Sequence, residues 1–236
     1  MSPVGRPQRG APLPYTLIAG VEPARDGWLV VTGRLMGATL VAGDAHVAAK
    51  FTDVLDARPS YQVIALHAPV GLPDDDSPGG RECDRAARKL LGWPRQAAIV
   101  SPPSRAELLA AGAAARHHES TLRHVAEIDE TVAAYWQRTV YECNPELSFY
   151  ELNSGSPLTF GKHSQLGEKE RLSLLEARMG GVERIMGTRL PGVRRHQLID
   201  ACGSLWTARR IAGRALASLP LDPQWDEQGR RMEILR

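Results

Sequence analysis

Apolar residues fall in short blocks closed by polar and turn-forming positions, and their spacing changes along the chain. Residues 16–22, 27–34 and 38–42 are compact apolar runs that predict three strands, with Met36-Gly37 as a hairpin turn between the second and third. The alanine-rich stretch 45–57, with Val47, Phe51, Val54 and Leu55, predicts a short helix, and 62–66 predicts a fourth strand. A helical crossover puts that strand parallel to the first, with a right-handed connection. Helical spacing then takes over. Residues 81–91 turn Cys83, Ala87, Leu90 and Leu91 inward, 104–116 open on a Ser104–Glu107 capping box, and 120–137 form a further helix. A fifth strand is expected at 138–143, a polar loop with Lys162 and His163 at 153–165, and a helix at 168–179. The last long helix, 196–218, buries Ile199, Cys202, Leu205, Trp206 and Ile211.

Composition narrows the class. The 236 residues, 43% hydrophobic and 24% charged, suit one domain over 15–236 behind a flexible Pro/Arg-rich arm at 1–14. That arm has no apolar core, so it does not read as a secretory signal, and no run approaches a membrane span. Cys83, Cys143 and Cys202 are odd in number and scattered, which fits neither a disulfide framework nor a zinc knuckle and suggests a reducing cytoplasm. A net charge of +2 gives only weak support for nucleic acid as a partner. Arginines crowd the C-terminal quarter (Arg184, Arg189, Arg194, Arg195, Arg209, Arg210, Arg214), and a solvated helix face plus a loop accounts for them. His117, His118 and His124 match no zinc spacing and read as surface histidines. The triplet Asp74-Asp75-Asp76 reads as a solvated turn, and Arg81, Asp84 and Arg88 as a structural polar face worth little as surface pairs.

The candidate chemistry sits where strands end. The first strand closes on Glu22 and the fourth on His67, positions where α/β folds build their sites. On the last helix Asp200, Ser204 and Thr207 form a narrow polar stripe, with Gly203 beside it, small enough for the helix to lie close to the sheet. A carboxylate on a helix facing strand-end acids is what a Mg²⁺ site requires; otherwise Asp200 caps its helix or pairs with Arg194 or Arg195.

Several motifs recur in one order. They are Gly20-Val21-Glu22 with Gly27-Trp28, Ala68-Pro69-Val70-Gly71-Leu72-Pro73, Arg81-Glu82-Cys83-Asp84-Arg85-Ala86-Ala87-Arg88 and Pro102-Pro103-Ser104-Arg105. Tyr141-Glu142-Cys143-Asn144-Pro145-Glu146-Leu147-Ser148-Phe149, Asp200-Ala201 and Trp206-Thr207-Ala208-Arg209 follow. In these the chain, from about Ile18 to its end, resembles the domain-of-unknown-function 429 family, described as predicted RNase H-like nucleases. The resemblance implies an α/β fold: a mixed five-stranded sheet, three antiparallel strands then two parallel, with helices on both faces. It implies a helical insertion at about 74–137 between the fourth and fifth strands. It also implies an acidic site at Glu22, His67 and Asp200, with Mg²⁺ or Mn²⁺ as the cofactor of an active member.

Two of those positions depart from the family pattern, which has aspartate at both. Glu22 keeps the charge but moves the carboxylate by about 1.5 Å, a C–C bond length. His67 removes a charge and a hard ligand together, because imidazole suits zinc, copper, iron or nickel better than Mg²⁺. Glu142, at the end of the fifth strand, and Glu146 are the candidate replacement carboxylates. Catalytic roles are therefore expected of Glu22, His67, Glu142 and Asp200, and metal ligation of Glu22, Asp200 and Glu142. The expected function is a metal-dependent nuclease or phosphodiesterase with an altered acidic site. The alternative is a non-catalytic binding or scaffold protein, a pseudoenzyme that keeps the fold and needs no metal.

Overall fold

The computed structural model describes residues 13–236, so all but the last two positions of the expected arm lie outside the described residues. Strands β1 (Thr16–Ala24), β2 (Gly27–Met36), β3 (Thr39–Ala48), β4 (Val63–Leu66) and β5 (Val140–Glu142) form one sheet in the order β3-β2-β1-β4-β5. The first three are antiparallel; β4 runs parallel to β1, and β5 parallel to β4. This is the mixed five-stranded sheet, three antiparallel strands then two parallel, that the sequence led us to expect.

Strand periodicity of two sorts the sheet residues between its faces. On one face Ile18, Leu29, Val31, Val63 and Ala65 meet the long helix α8 (Arg195–Ala212) through Leu198, Ile199, Cys202 and Leu205. On the other, Ala19, Val21, Trp28, Val30 and Ile64 meet Phe51 and Val54 of α1 (Phe51–Leu55) and Ile128 of α4 (Arg123–Thr131). Glu127 of α4 ties that face together, accepting from the Trp28 indole at 2.9 Å and from the Phe51 amide at 2.5 Å. Gly20 explains why α8 lies flat on the sheet. A Cβ there would sit 2.2 Å from the Ala201 carbonyl oxygen and 2.2 Å from the Leu205 amide, so only glycine permits this approach. The close contact falls on the strand, not at Gly203.

The insertion carries α2 (Glu82–Leu91), α3 (Arg105–Ala115) and α4, with two 3₁₀ turns, and α3 opens on the expected Ser104–Glu107 box. Past β5 come α5 (Pro145–Leu152), α6 (Gln165–Glu176), α7 (Val182–Gly187) and α8, then a hairpin of β6 (Ser218–Trp225) and β7 (Arg231–Leu235). No helix among the described residues is long and apolar enough to cross a membrane.

Several expectations need correction. Residues 45–48 continue β3 instead of starting a helix, because pairing Ala45 with Val31 and Val47 with Leu29 outweighs alanine's helical preference. The helix expected at 120–137 is α4 followed by a 3₁₀ turn at Ala134–Arg138. The last helix stops at Ala212, where Gly213 caps it, and the next residues turn back into β6. The Arg81–Asp84 pair is not a surface feature: both residues are buried. His124 is half-buried against Trp28, whereas His117 and His118 are exposed. Five of the seven C-terminal arginines are exposed, as expected, and four of the seven also tie elements together, Arg184 to the Ala42 and Gly43 carbonyls, Arg195 to Glu168, Arg209 to the Ala38 carbonyl and Arg210 to Glu151. The three cysteines are free and buried.

Candidate functional site

The parallel ladder between β1 and β4 ends at the pair Val21–Leu66, and the His67 amide still donates to the Val21 carbonyl at 2.9 Å. Glu22 and His67 are therefore neighbours one residue beyond the ladder. Parity puts both on the α8 face, since Ile18 and Gly20 precede Glu22 there and Val63 and Ala65 precede His67. Their side chains meet, with His67 Nδ1 2.5 Å from Glu22 Oε2. The second carboxylate oxygen of Glu22 accepts from Ser204 Oγ of α8 at 2.7 Å. Asp200, one turn earlier on α8, is paired with Lys162 at 2.7 Å instead of with Arg194 or Arg195. Thr207 ends the polar stripe by sharing a hydrogen bond of 2.7 Å with Ser148 of α5.

The structure thus brings Glu22, His67 and Asp200 together and adds Ser204, Lys162 and Asn144. Asn144 caps α5, its Oδ1 accepting from the Glu146 amide at 2.9 Å, which turns its amide nitrogen to His67 Nε2 at 3.3 Å. Ser204 was visible in the stripe. Lys162 had no local signal beyond being a cation in a polar loop.

Glu142 lies elsewhere. With Val140 it faces the side of the sheet opposite Tyr141 and Cys143, so parity carries its carboxylate away from Glu22. There it takes two bonds from Arg81, at 2.5 and 2.8 Å, and one from the Val70 amide at 2.9 Å. Arg81 also holds Asp84 at 2.8 Å. Glu146 is held by Arg171 at 2.8 Å.

Burial and charge set the protonation of the cluster. Burial raises the Glu22 pKa above its ordinary value, although the His67 charge and the Ser204 hydroxyl pull the other way. For His67 burial opposes the charged ring, but the Glu22 carboxylate beside it, with Asp200 adding, wins and raises the pKa. The imidazole is accordingly poised as a cation against Glu22. The site then holds two carboxylates, Glu22 and Asp200, the Lys162 ammonium, and an imidazole whose cationic form the Glu22 carboxylate favours.

A hard divalent ion does not fit this donor set. Mg²⁺ seeks oxygen ligands in an octahedron, yet both Glu22 oxygens are engaged, Asp200 carries an ammonium, and the third position is an imidazole. Among the described residues no group of three or more His, Cys, Asp or Glu side chains is arranged to hold a metal.

No curated protein and no solved structure matches the chain. A family model described as "Protein of unknown function (DUF429)" matches residues 20–224. The chain belongs to the domain-of-unknown-function 429 family.

Proposed function

We propose that this protein keeps the RNase H-like sheet but has a degenerate acidic site, one that binds without Mg²⁺-dependent phosphodiester cleavage. One observation carries the reading: each carboxylate of the cluster is answered by a side-chain cation, Glu22 by His67 and Asp200 by Lys162. Two metal ions activating water and stabilising a leaving oxygen need negative charge to hold them against their mutual repulsion. Here that charge is spent inside the protein. Lys162 and His67 also occupy the places beside those carboxylates that a cation would take.

The test is titration with Mg²⁺ and Mn²⁺ of the parent, His67→Asp, Glu22→Asp/His67→Asp and that pair with Lys162→Met, alongside cleavage assays on single-stranded, duplex and hybrid substrates. We expect no Mg²⁺-dependent cleavage by the parent and metal affinity that rises stepwise through the series. Robust Mg²⁺-dependent cleavage by the parent, lost in Asp200→Asn, overturns the reading in favour of a working nuclease. A second reading is favoured by the Glu22–His67 contact itself, because a carboxylate-oriented imidazole is suited to proton transfer without metal. Cleavage that persists in EDTA and disappears in His67→Gln marks that case.

A further inference from the structure

Beside the cluster lies a cavity of about 500 Å³, between the ends of β4 and β5 and the inserted segment. Its size and place, at the carboxyl ends of parallel strands, suit a small-molecule site. Ile99, Val100, Pro102, Pro103, Leu122 and Val125 supply apolar walls. Val100 is 82% exposed, so the cavity is open on that side. The charged part of the wall formed by Arg81, Asp84 and Glu142 is closed on itself by ion pairs.

The remaining polar end has a directional bias. It consists of His67, Asn144 and Lys162. Lys162 carries donors only, and just one bond, to Asp200, is made by its ammonium group. Asn144 has its acceptor oxygen fixed in the α5 cap, so its amide nitrogen is the atom turned to the site. His67 has Nδ1 committed to Glu22, so Nε2, 3.3 Å from the Asn144 amide nitrogen, is the ring atom left to the cavity. The balancing carboxylates sit behind, Glu22 and Asp200 each 3% exposed. The cavity therefore meets the Lys162 and Asn144 donors, with His67 beside them, at one end and hydrocarbon along its sides.

We propose that this cavity binds a small organic acid, its carboxylate or phosphate head seated on Lys162, Asn144 and His67 and its apolar body against the Ile99–Leu122 wall. The proposal rests on the reading of the cluster as neutralised by its own side chains. Because Glu22 and Asp200 balance the local charge, the head gains directed hydrogen bonds more than net attraction, and affinity is expected at about 1 mM for a minimal probe.

The test uses benzoate, phenyl phosphate and benzylammonium, titrated into the whole protein in EDTA and followed by NMR. One of the two anions is expected to saturate a single site, and the tighter of them identifies the head group. Lys162→Met should weaken it about tenfold, ~1.4 kcal/mol. Ala98→Trp, placing an indole on the exposed rim, should abolish it. Failure of both anions to saturate, equal binding of benzylammonium, or binding unaffected by Ala98→Trp overturns the proposal. Since chelator is present throughout, such a failure leaves the degenerate-site reading standing. Conversely, Mg²⁺-dependent cleavage by the parent overturns that reading whatever the anions do.

Discussion

Two charged clusters stand at the carboxyl ends of the parallel strands, and they differ in one respect. In the Arg81–Asp84–Glu142 cluster every charged side chain is buried, both carboxylates pairing with the one guanidinium, with side-chain exposures of 2%, 1% and 6%. In the Glu22–His67–Asp200–Lys162 cluster the carboxylates are buried, at 5% each, but their cations are 32% and 37% exposed. A closed network fixes geometry and offers nothing to a ligand. A network whose cations reach the surface of a cavity holds its acids in place and still presents donors outward. The contrast assigns architecture to the first and recognition to the second.

The largest expected effect lies in the closed cluster. Arg81→Met leaves Asp84 and Glu142 buried without their cation, and breaking a buried pair from one side costs about 3–5 kcal/mol. Denaturant unfolding measures it. A loss under 1 kcal/mol would mean that water or another cation reaches the acids, and the two clusters would no longer differ in kind.

Next is Ser204→Ala in the open cluster. It removes the 2.7 Å bond to Glu22 Oε1, a hydrogen bond to a charged acceptor worth about 1.5–3 kcal/mol. The loss should appear in unfolding and also lift the Glu22 pKa further, since the hydroxyl lowers it.

The open cluster has one titration that the closed one lacks, that of His67, although burial raises the Glu142 pKa as it raises that of Glu22. Both Glu22 and His67 have folded-state pKa values above their ordinary values of 4.5 and 6.5. The folded protein therefore binds protons more tightly than the unfolded chain at both positions, and stability falls as pH rises. The His67 contribution is present in full below pH 6.5 and is lost as pH climbs through its raised value. For Glu22 the corresponding decline starts from pH 4.5. A Glu22→Gln/His67→Gln double variant should show a flatter stability profile over this range. In the single variant Glu22→Gln, the His67 ring should titrate lower than in the parent, because its main charge partner is gone while burial persists. An unchanged titration by NMR would separate His67 from Glu22.

Much of this arrangement was written locally. Glu22 and His67 could be picked out because each closes a short apolar run, and Asp200 and Ser204 because a spacing of four puts them on one helical face. Strand parity could also have excluded Glu142 as a partner of Glu22, since residues alternating with Val140 face the other way. Lys162 was not legible: it reaches Asp200 from a loop, and loop geometry has no period to read. The final hairpin was hidden by Pro220 and Pro223 within β6, residues that argue against a strand, and by a rationale outside the segment. Leu219 and Ile234 pack with Cys83 and Leu91 of the inserted helix, at least 128 residues away in sequence. Asp226 in its turn binds Arg105 and Arg230 at 2.8 and 2.9 Å, fastening the turn to the insertion.

The smallest expected effect on stability is the most informative about function. Lys162→Met removes a cation whose side chain is 37% exposed, and such pairs contribute about 0–1 kcal/mol because water screens them. Unfolding should hardly change. The open cluster should nevertheless respond, because Asp200 is left as a carboxylate without its cation beside Glu22. Affinity for Mn²⁺ should therefore rise above the parent's, although His67 remains. Near-parental stability with raised Mn²⁺ affinity is the signature of a lysine that occupies the place of a cation. Destabilisation of several kcal/mol with no metal gain would instead put Lys162 with Arg81, as part of the architecture, and erase the distinction between the two clusters.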